Sequence, residues 1–300
     1  MEFYTNILNA IGNTPLLELV RIAETPIFAK AEYMNPGGSI KDRVAFYLLD
    51  QAEKDGTLKP GMRIFEASSG NTGIGITLVG VHKGYDVTIV MPEDMSEERR
   101  KIIRAFGGNI VSTPAGKSLS GSLEKLKAFA AEPDVFIPDQ FNNPRNPEVH
   151  YLNTASEIWR QMEGRVDAFV AGVGSGGTLG GVARFLKEKQ PGIHIAAVEP
   201  SNAAALLGHE PGLHKIQGIG DGFVPSVLDT SLIDEVVTVT DEDAVDVARQ
   251  LAAREGALVG TSSGANVWAA MKVSERLGQG KNVVTVLPDR AERYFSTSLI

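Results

Sequence analysis

The chain has 300 residues, 43% of them hydrophobic, with 29 basic and 37 acidic side chains and a net charge of -8. Such a chain can bury a sizeable core in two lobes of one compact unit, and its negative charge argues against a nucleic-acid or anionic-membrane partner. Cysteine is absent, which excludes disulfides, thiolate catalysis and Cys-ligated zinc.

The first ten residues, MEFYTNILNA, lack the basic and apolar regions of a signal peptide. No apolar run approaches the length of a membrane span, so the expectation is a soluble, cytoplasmic protein. After Ile11-Gly12-Asn13-Thr14-Pro15-Leu16 a strand is predicted over 27–32. Next comes Asn35-Pro36-Gly37-Gly38-Ser39-Ile40-Lys41-Asp42-Arg43, a turn-forming run leading into an amphipathic segment over 44–55. Ser39 suits an N-cap, which puts Lys41 in the first helical turn. There the helix dipole disfavours an ammonium and lowers its pKa, as a Schiff-base lysine needs. The same stretch also reads as a surface lysine at a helix start.

Strands are expected over 63–67, 87–91, 109–112 and 135–137, with helices over 74–82, 96–106 and 122–131. The Pro- and Asn-rich segment 138–147 marks a domain boundary. A second series follows, with helices over 151–162, 179–189, 242–255 and 265–277 and strands over 168–171, 193–198, 236–239 and 283–287. Its middle is a glycine-rich region over 201–225. Such alternation implies an α/β protein with two open, twisted, mostly parallel sheets and flanking helices. Ligands then belong beyond the carboxyl ends of the strands.

Three small-residue loops fall at such positions. In Ser68-Ser69-Gly70-Asn71-Thr72-Gly73 the amides and hydroxyls can hold a carboxylate or phosphate, and Asn71 can reach a ring substituent. Gly172-Val173-Gly174-Ser175-Gly176-Gly177-Thr178 follows an apolar strand and opens a helix, which suits phosphate binding. It also fits the dinucleotide pattern, with Glu199 where a ribose-binding acid belongs, so a nicotinamide oxidoreductase stays open at this point. In Gly260-Thr261-Ser262-Ser263-Gly264-Ala265, Ser262 either caps the next helix or faces a ligand between the lobes. Gly116-Lys117-Ser118 lacks the leading glycine of a P-loop, because Val111 stands there. His209 and His214 have no carboxylate at zinc-site spacing.

One amine, one phosphate cup, one asparagine loop and one serine loop meet the needs of pyridoxal phosphate. The chain resembles the cysteine synthase family (O-acetylserine sulfhydrylases), within the tryptophan synthase β-like, fold type II pyridoxal-phosphate enzymes. The likeness runs through Gly12-Asn13-Thr14-Pro15, 36–43, 69–73, Met91-Pro92, 139–144, 174–178, 214–220, 260–264 and 292–297. It implies a smaller lobe over 36–146 and a larger one from 1–35 plus 147–300, with the site in the cleft between them.

By the same resemblance Lys41 carries the cofactor and handles the substrate Cα proton, Asn71 bonds the ring hydroxyl, and Ser262 faces the ring nitrogen. Gly174, Ser175, Gly176, Gly177 and Thr178 cradle the phosphate, while Ser69, Asn71, Thr72 and Gln140 bind the substrate carboxylate. The implied reaction is β-replacement on O-acetyl-L-serine by sulfide, through an aminoacrylate, in a cytoplasmic homodimer. A serine acetyltransferase tail is an implied partner, and the chain's own terminal Ile300 resembles such a tail. Gln217 stands where O-phosphoserine-using relatives place an arginine, which favours O-acetylserine. Serine or cysteine as acceptor, as in cystathionine synthesis or desulfhydration, stays open.

Overall fold

The computed structural model describes residues 3–68 and 70–297, so Ser69 and Ile300 lie outside the described residues. The chain opens with β1 (Leu16–Glu18) and β2 (Ile27–Lys30). Then β3 (Arg63–Ala67), β4 (Asp86–Pro92), β5 (Asn109–Thr113) and β6 (Val135–Phe136) form a four-stranded parallel sheet in the order β5-β4-β3-β6. Finally β7 (Ala168–Gly172), β8 (His194–Pro200), β9 (Glu235–Val239) and β10 (Val283–Val286) join β1 and β2 in the order β1-β2-β10-β7-β8-β9. This six-stranded sheet is parallel except where β1 pairs antiparallel with β2. Two mostly parallel sheets were expected; β1 was not, because three residues carry no readable period.

Nine α-helices flank these sheets among the described residues. They are α1 (Lys41–Lys54), α2 (Asn71–His82), α3 (Glu97–Ala105), α4 (Ser118–Phe129), α5 (Arg145–Val149), α6 (Ser156–Gln161), α7 (Gly177–Lys189), α8 (Asp241–Gln250) and α9 (Thr261–Leu277). Their ends obey local chemistry. Glu97 and Glu98 open α3 and Arg104 closes it, each charge opposing the local pole of the helix dipole. Thr240 caps α8, its hydroxyl accepting from the Asp243 amide at 3.1 Å. The helix predicted over 151–162 is divided, because a π-helical stretch, His150–Ala155, joins α5 to α6.

Alternation along each central strand explains why both faces are covered. Phe169 and Ala171 pack with Ile195, Leu179 and Val284 on one face of the larger sheet. Val170 turns the other way, onto Val198, Val267 and Ala270. In the smaller sheet Ile64 and Ile89 meet Ile74 and Val79 of α2, while Phe65 and Val90 face Leu126 of α4. α2 is apolar on nearly every side because it lies between α1 and the sheet. No helix among the described residues is long and apolar enough to cross a membrane.

A buried ion network fastens the start of α1. Arg43 donates through Nε to Glu32 at 2.7 Å and through Nη1 and Nη2 to Glu157 at 2.7 Å. Lys30 reaches Glu157 at 2.7 Å, and the Thr14 hydroxyl donates to Glu32 at 2.6 Å. Lys30 and Glu32 are fully buried, and Arg43 and Glu157 nearly so. Two cations and two anions balance, and each is hydrogen-bonded, the condition under which such a network is tolerated. Burial alone would raise the Glu157 pKa, but Arg43 and Lys30 bring it down to about 2. Its contribution to stability is therefore present above the ordinary carboxylate range and is lost as pH falls through about 2. Arg43→Ala leaves two buried carboxylates short of a partner and should cost about 3–5 kcal/mol in chemical denaturation. A loss below about 1 kcal/mol, the range of a surface pair, would show that the network is not buried in solution.

Candidate active site

Lys41 is the first residue of α1. Ser39 does not take the cap position assigned to it: Ile40 does, and the Ser39 hydroxyl instead accepts from the Lys41 amide at 3.2 Å. The Lys41 side chain crosses to the glycine loop after β7, where Nζ donates to Ser175 Oγ at 2.9 Å. Burial lowers the Lys41 pKa to about 8, although Asp221 and Glu66 pull it upward. Desolvation, rather than the helix dipole invoked from sequence, is the leading cause.

The loop around Ser175 is built for close approach. Gly176 adopts a left-handed φ of 78° at the cap of α7, and a side chain on Gly177 would collide with Asn146 Oδ1. Asn146 Nδ2 donates both to Ser175 Oγ at 2.9 Å and to the Gln140 carbonyl at 2.8 Å. Ser175 thus accepts from Lys41 and from Asn146, which leaves its own proton to donate to an anion. Thr178 Oγ1 lies 3.4 Å from His150 Nε2, and His150 Nδ1 lies 2.9 Å from Thr154 Oγ1. Burial, with Lys41 and Arg43 nearby, holds the His150 pKa well below its ordinary value, so the ring is neutral at pH 7. With the N-terminus of α7 behind it, the loop suits a phosphate.

Asn71 and Thr72 open α2, whose Gly75 approaches the Lys41 carbonyl so closely that a side chain there would clash. Ser68 shapes the turn, its hydroxyl accepting from the Gly70 and Gly73 amides at 3.1 and 3.0 Å. Asn71 Nδ2 donates to Asp289 Oδ2 at 2.6 Å, while Asn71 Oδ1 is buried without a partner among the described residues. Thr72 Oγ1 donates to Gln140 Oε1 at 2.6 Å, which leaves the Gln140 amide hydrogens for another acceptor. Glu66 accepts from the Asp139 amide at 3.1 Å and supports this turn. Burial, then the Asp139 charge, raises its pKa to about 8.

Ser262 lies in the first turn of α9, which Gly260 caps without help from any side chain. Ser262 is a buried residue inside the helix and not its cap, so the capping alternative does not hold; the buried hydroxyl of this loop without a partner among the described residues is that of Ser263. Farther along α9, Asn266 ties the serine helix to the cup: its Oδ1 accepts from the Gly172 amide at 2.8 Å. Glu199 is buried and accepts from the Leu206 amide at 3.0 Å at the end of its own strand, so it serves no ribose. His214 Nε2, in the glycine-rich region, pairs with the Gly220 carbonyl at 3.0 Å.

The structure therefore brings Lys41, Ser175, Gly177, Thr72 and Gln140 into one connected set. Asn71 and Ser262 stand on helix starts that border it, and Ser69 is outside the described residues. Sequence reasoning missed Asn146, Asp289, Asn266 and Glu66. Asp289 lies three residues beyond the end of β10, in the region where ligand-facing residues belong, whereas Asn146 was hidden in the segment read as a domain boundary. A buried amine of lowered pKa, a glycine loop at a helix N-terminus, and an unpartnered buried oxygen on Asn71 fit pyridoxal phosphate.

The chain belongs to the family of pyridoxal-phosphate dependent enzymes, whose description its sequence matches over residues 7–289. It is 47% identical over 298 residues to the cysteine synthase of Staphylococcus aureus, covering 98% of this chain and 96% of that one. Its fold superposes on the cysteine synthase of Entamoeba histolytica with a TM-score of 0.95 at 44% identity, over 99% of this chain and 91% of that chain. The O-acetylserine-dependent cystathionine β-synthase of Helicobacter pylori gives 0.94 at 40%, over 100% of this chain and 99% of that chain. These matches settle the choice left open by the glycine pattern in favour of pyridoxal phosphate.

The lowered Lys41 pKa has a direct consequence for cofactor loading. A lysine must be neutral to attack an aldehyde, so protein stripped of cofactor should take up pyridoxal phosphate with a rate that rises through about pH 8. A midpoint near the ordinary lysine value would contradict the burial of this amine. The cost of burying the ammonium is present below about pH 8 and disappears as pH rises past 10.5.

Proposed function

We propose that this chain is a cysteine synthase: it exchanges the acetate of O-acetyl-L-serine for sulfide, giving L-cysteine and acetate. The observation that carries the reading is the Lys41–Ser175–Asn146 contact, which sets a buried amine of lowered pKa at the lip of a phosphate cup. In this reading Lys41 holds the cofactor, Gly174 to Thr178 its phosphate, Asn71 its ring hydroxyl and Ser262 its ring nitrogen. Bound pyridoxal phosphate supplies the electron-withdrawing ring that acidifies the substrate Cα–H.

The remaining steps belong to the chain's own residues. Ser69, Asn71, Thr72 and Gln140 anchor the substrate carboxylate, and Thr72 fixes Gln140 with its amide hydrogens outward. Once the substrate amine has taken its place, the freed Lys41 amine, with a pKa of about 8, takes the Cα proton as acetate departs from Cβ. Sulfide then bonds to Cβ, and Lys41 gives the proton back to Cα. Ser262 is a neutral partner and cannot hold a ring nitrogen protonated as a carboxylate would, which suits a substrate with a good leaving group. The lobe over 36–146 carries the carboxylate loop and closes on the lobe formed by 1–35 and 147–300, drying the cleft. The enzyme works in the cytoplasm as a homodimer, with a serine acetyltransferase tail as a further partner.

One observation favours O-phosphoserine as a second acceptor. The Arg99 guanidinium, nearly buried, donates through Nη1 to Gln217, and its Nε has no partner among the described residues. A positive charge thus reaches a position where Gln217 itself offers none. A product assay decides between the acceptors: O-acetylserine, O-phosphoserine and serine, each against sulfide and homocysteine. Cysteine from O-acetylserine should form fastest, and Lys41→Ala should slow it by at least about 10³-fold. Faster cystathionine formation from serine would overturn the assignment.

A further inference from the structure

Asp289, three residues beyond the end of β10, is a buried carboxylate that the reading above leaves without a task. Four segments of the site meet on it. Its Oδ2 accepts from Asn71 Nδ2 at 2.6 Å and also from the Tyr294 hydroxyl. Its backbone carbonyl accepts from the Gly260 amide at 3.1 Å, at the start of the serine loop. Ser39, two residues before Lys41, pairs with Asp289 in an isolated antiparallel bridge. Any side chain at position 260 would collide with Oδ1, so the carboxylate fills the space between the asparagine and serine loops.

A carboxylate accepts hydrogen bonds and donates none. The atom of Asn71 that faces it must therefore be the amide nitrogen, because a flipped amide would set oxygen against oxygen. With Nδ2 held in this way, Asn71 keeps one amide hydrogen and its unpartnered Oδ1 for the ligand side. Burial, then the neighbouring Asp289, raises the Tyr294 pKa, which keeps the phenol protonated as a donor. The Arg99 guanidinium lies 4.9 Å from the Tyr294 ring centre, bringing positive charge close to the buried carboxylate.

We propose that Asp289 is a positioning residue for the cofactor, fixing the amide of Asn71 in the one orientation that presents both an N–H and a carbonyl to the ring hydroxyl. The inference rests on the reading that Asn71 faces that hydroxyl, and a double-mutant cycle separates the two. Asp289→Ser, Asn71→Ala and the double variant are compared by equilibrium dialysis of each holoenzyme against pyridoxal phosphate and by the position of its visible absorption band. Asp289→Ser is expected to weaken cofactor retention about tenfold to a hundredfold and to move the band. Added to Asn71→Ala, it should change neither further.

Additive losses in the double variant would overturn the inference, as they would show that Asp289 acts independently of Asn71. Unchanged retention and spectrum in Asp289→Ser, with both altered in Asn71→Ala, would overturn it while leaving the Asn71 assignment standing. If Asn71→Ala itself altered neither, both readings would fall. Should Asp289→Ser not fold, Asp289→Leu, of similar size but without an acceptor, enters the same cycle with the same expected losses, and Asp289→Asn serves as the rescue. This last variant keeps the space filled and one acceptor oxygen, so it should restore most of the retention lost in any Asp289 variant lacking that acceptor.

Discussion

Arg43 stands two residues after Lys41 on the same helical turn, and its guanidinium holds that turn against three distant parts of the chain. Glu32 follows β2, Glu157 lies on α6, and Thr14 belongs to the loop before β1; all three bond Arg43 or its partners. Asn13 donates its amide to Glu157 at 3.0 Å, and Gly12 donates to Asn35 at 2.8 Å, so the turn preceding Lys41 is fixed as well. A network of four buried charges has one well-satisfied arrangement, and small shifts leave a charge unpaired. That requirement is what gives the lysine a fixed place and direction.

The same network explains why two buried lysines have different chemistry. Lys30 is more completely enclosed than Lys41, and burial lowers its pKa too, but it is spent on Glu157, the Thr14 carbonyl and Gln161. Lys41 has one neutral hydroxyl as its neighbour, at the mouth of a loop of backbone amides. Neutral side-chain amides complete the assembly. Asn146 couples the cup to the Gln140 turn, Asn266 couples it to the serine helix, and Asn71 reaches across to Asp289. The cleft is thus held together mainly by amides and hydroxyls, with the Asp289 carboxylate behind Asn71 and the four-charge network at its foundation.

Much of this was legible in the sequence because it depends on local pattern. The apolar runs at 87–91 and 168–171 lie inside buried parallel strands, and each small-residue loop opens a helix, two of them at strand ends, whereas the loop at 260–265 follows a helix. What could not be read depends on partners far along the chain. Arg43 looked like any helical arginine, since Glu157 is 114 residues away. Asn146 looked like part of a domain boundary until α5 and the π-helical stretch packed it against Ser175. Ser39 missed its cap position by one residue, because the backbone of the turn is pinned to Pro288 and Asp289 rather than set by its own side chain.

The central claim is that Lys41, and not the more enclosed Lys30, bonds the cofactor. Borohydride reduction of the holoenzyme, followed by peptide mass mapping, tests it most directly, because reduction makes the carbon–nitrogen link permanent. The account predicts one reduced pyridoxyl group per chain on the peptide containing Lys41, and none on the peptide containing Lys30. Label on Lys30 or on any other lysine, with Lys41 unmodified, would contradict it.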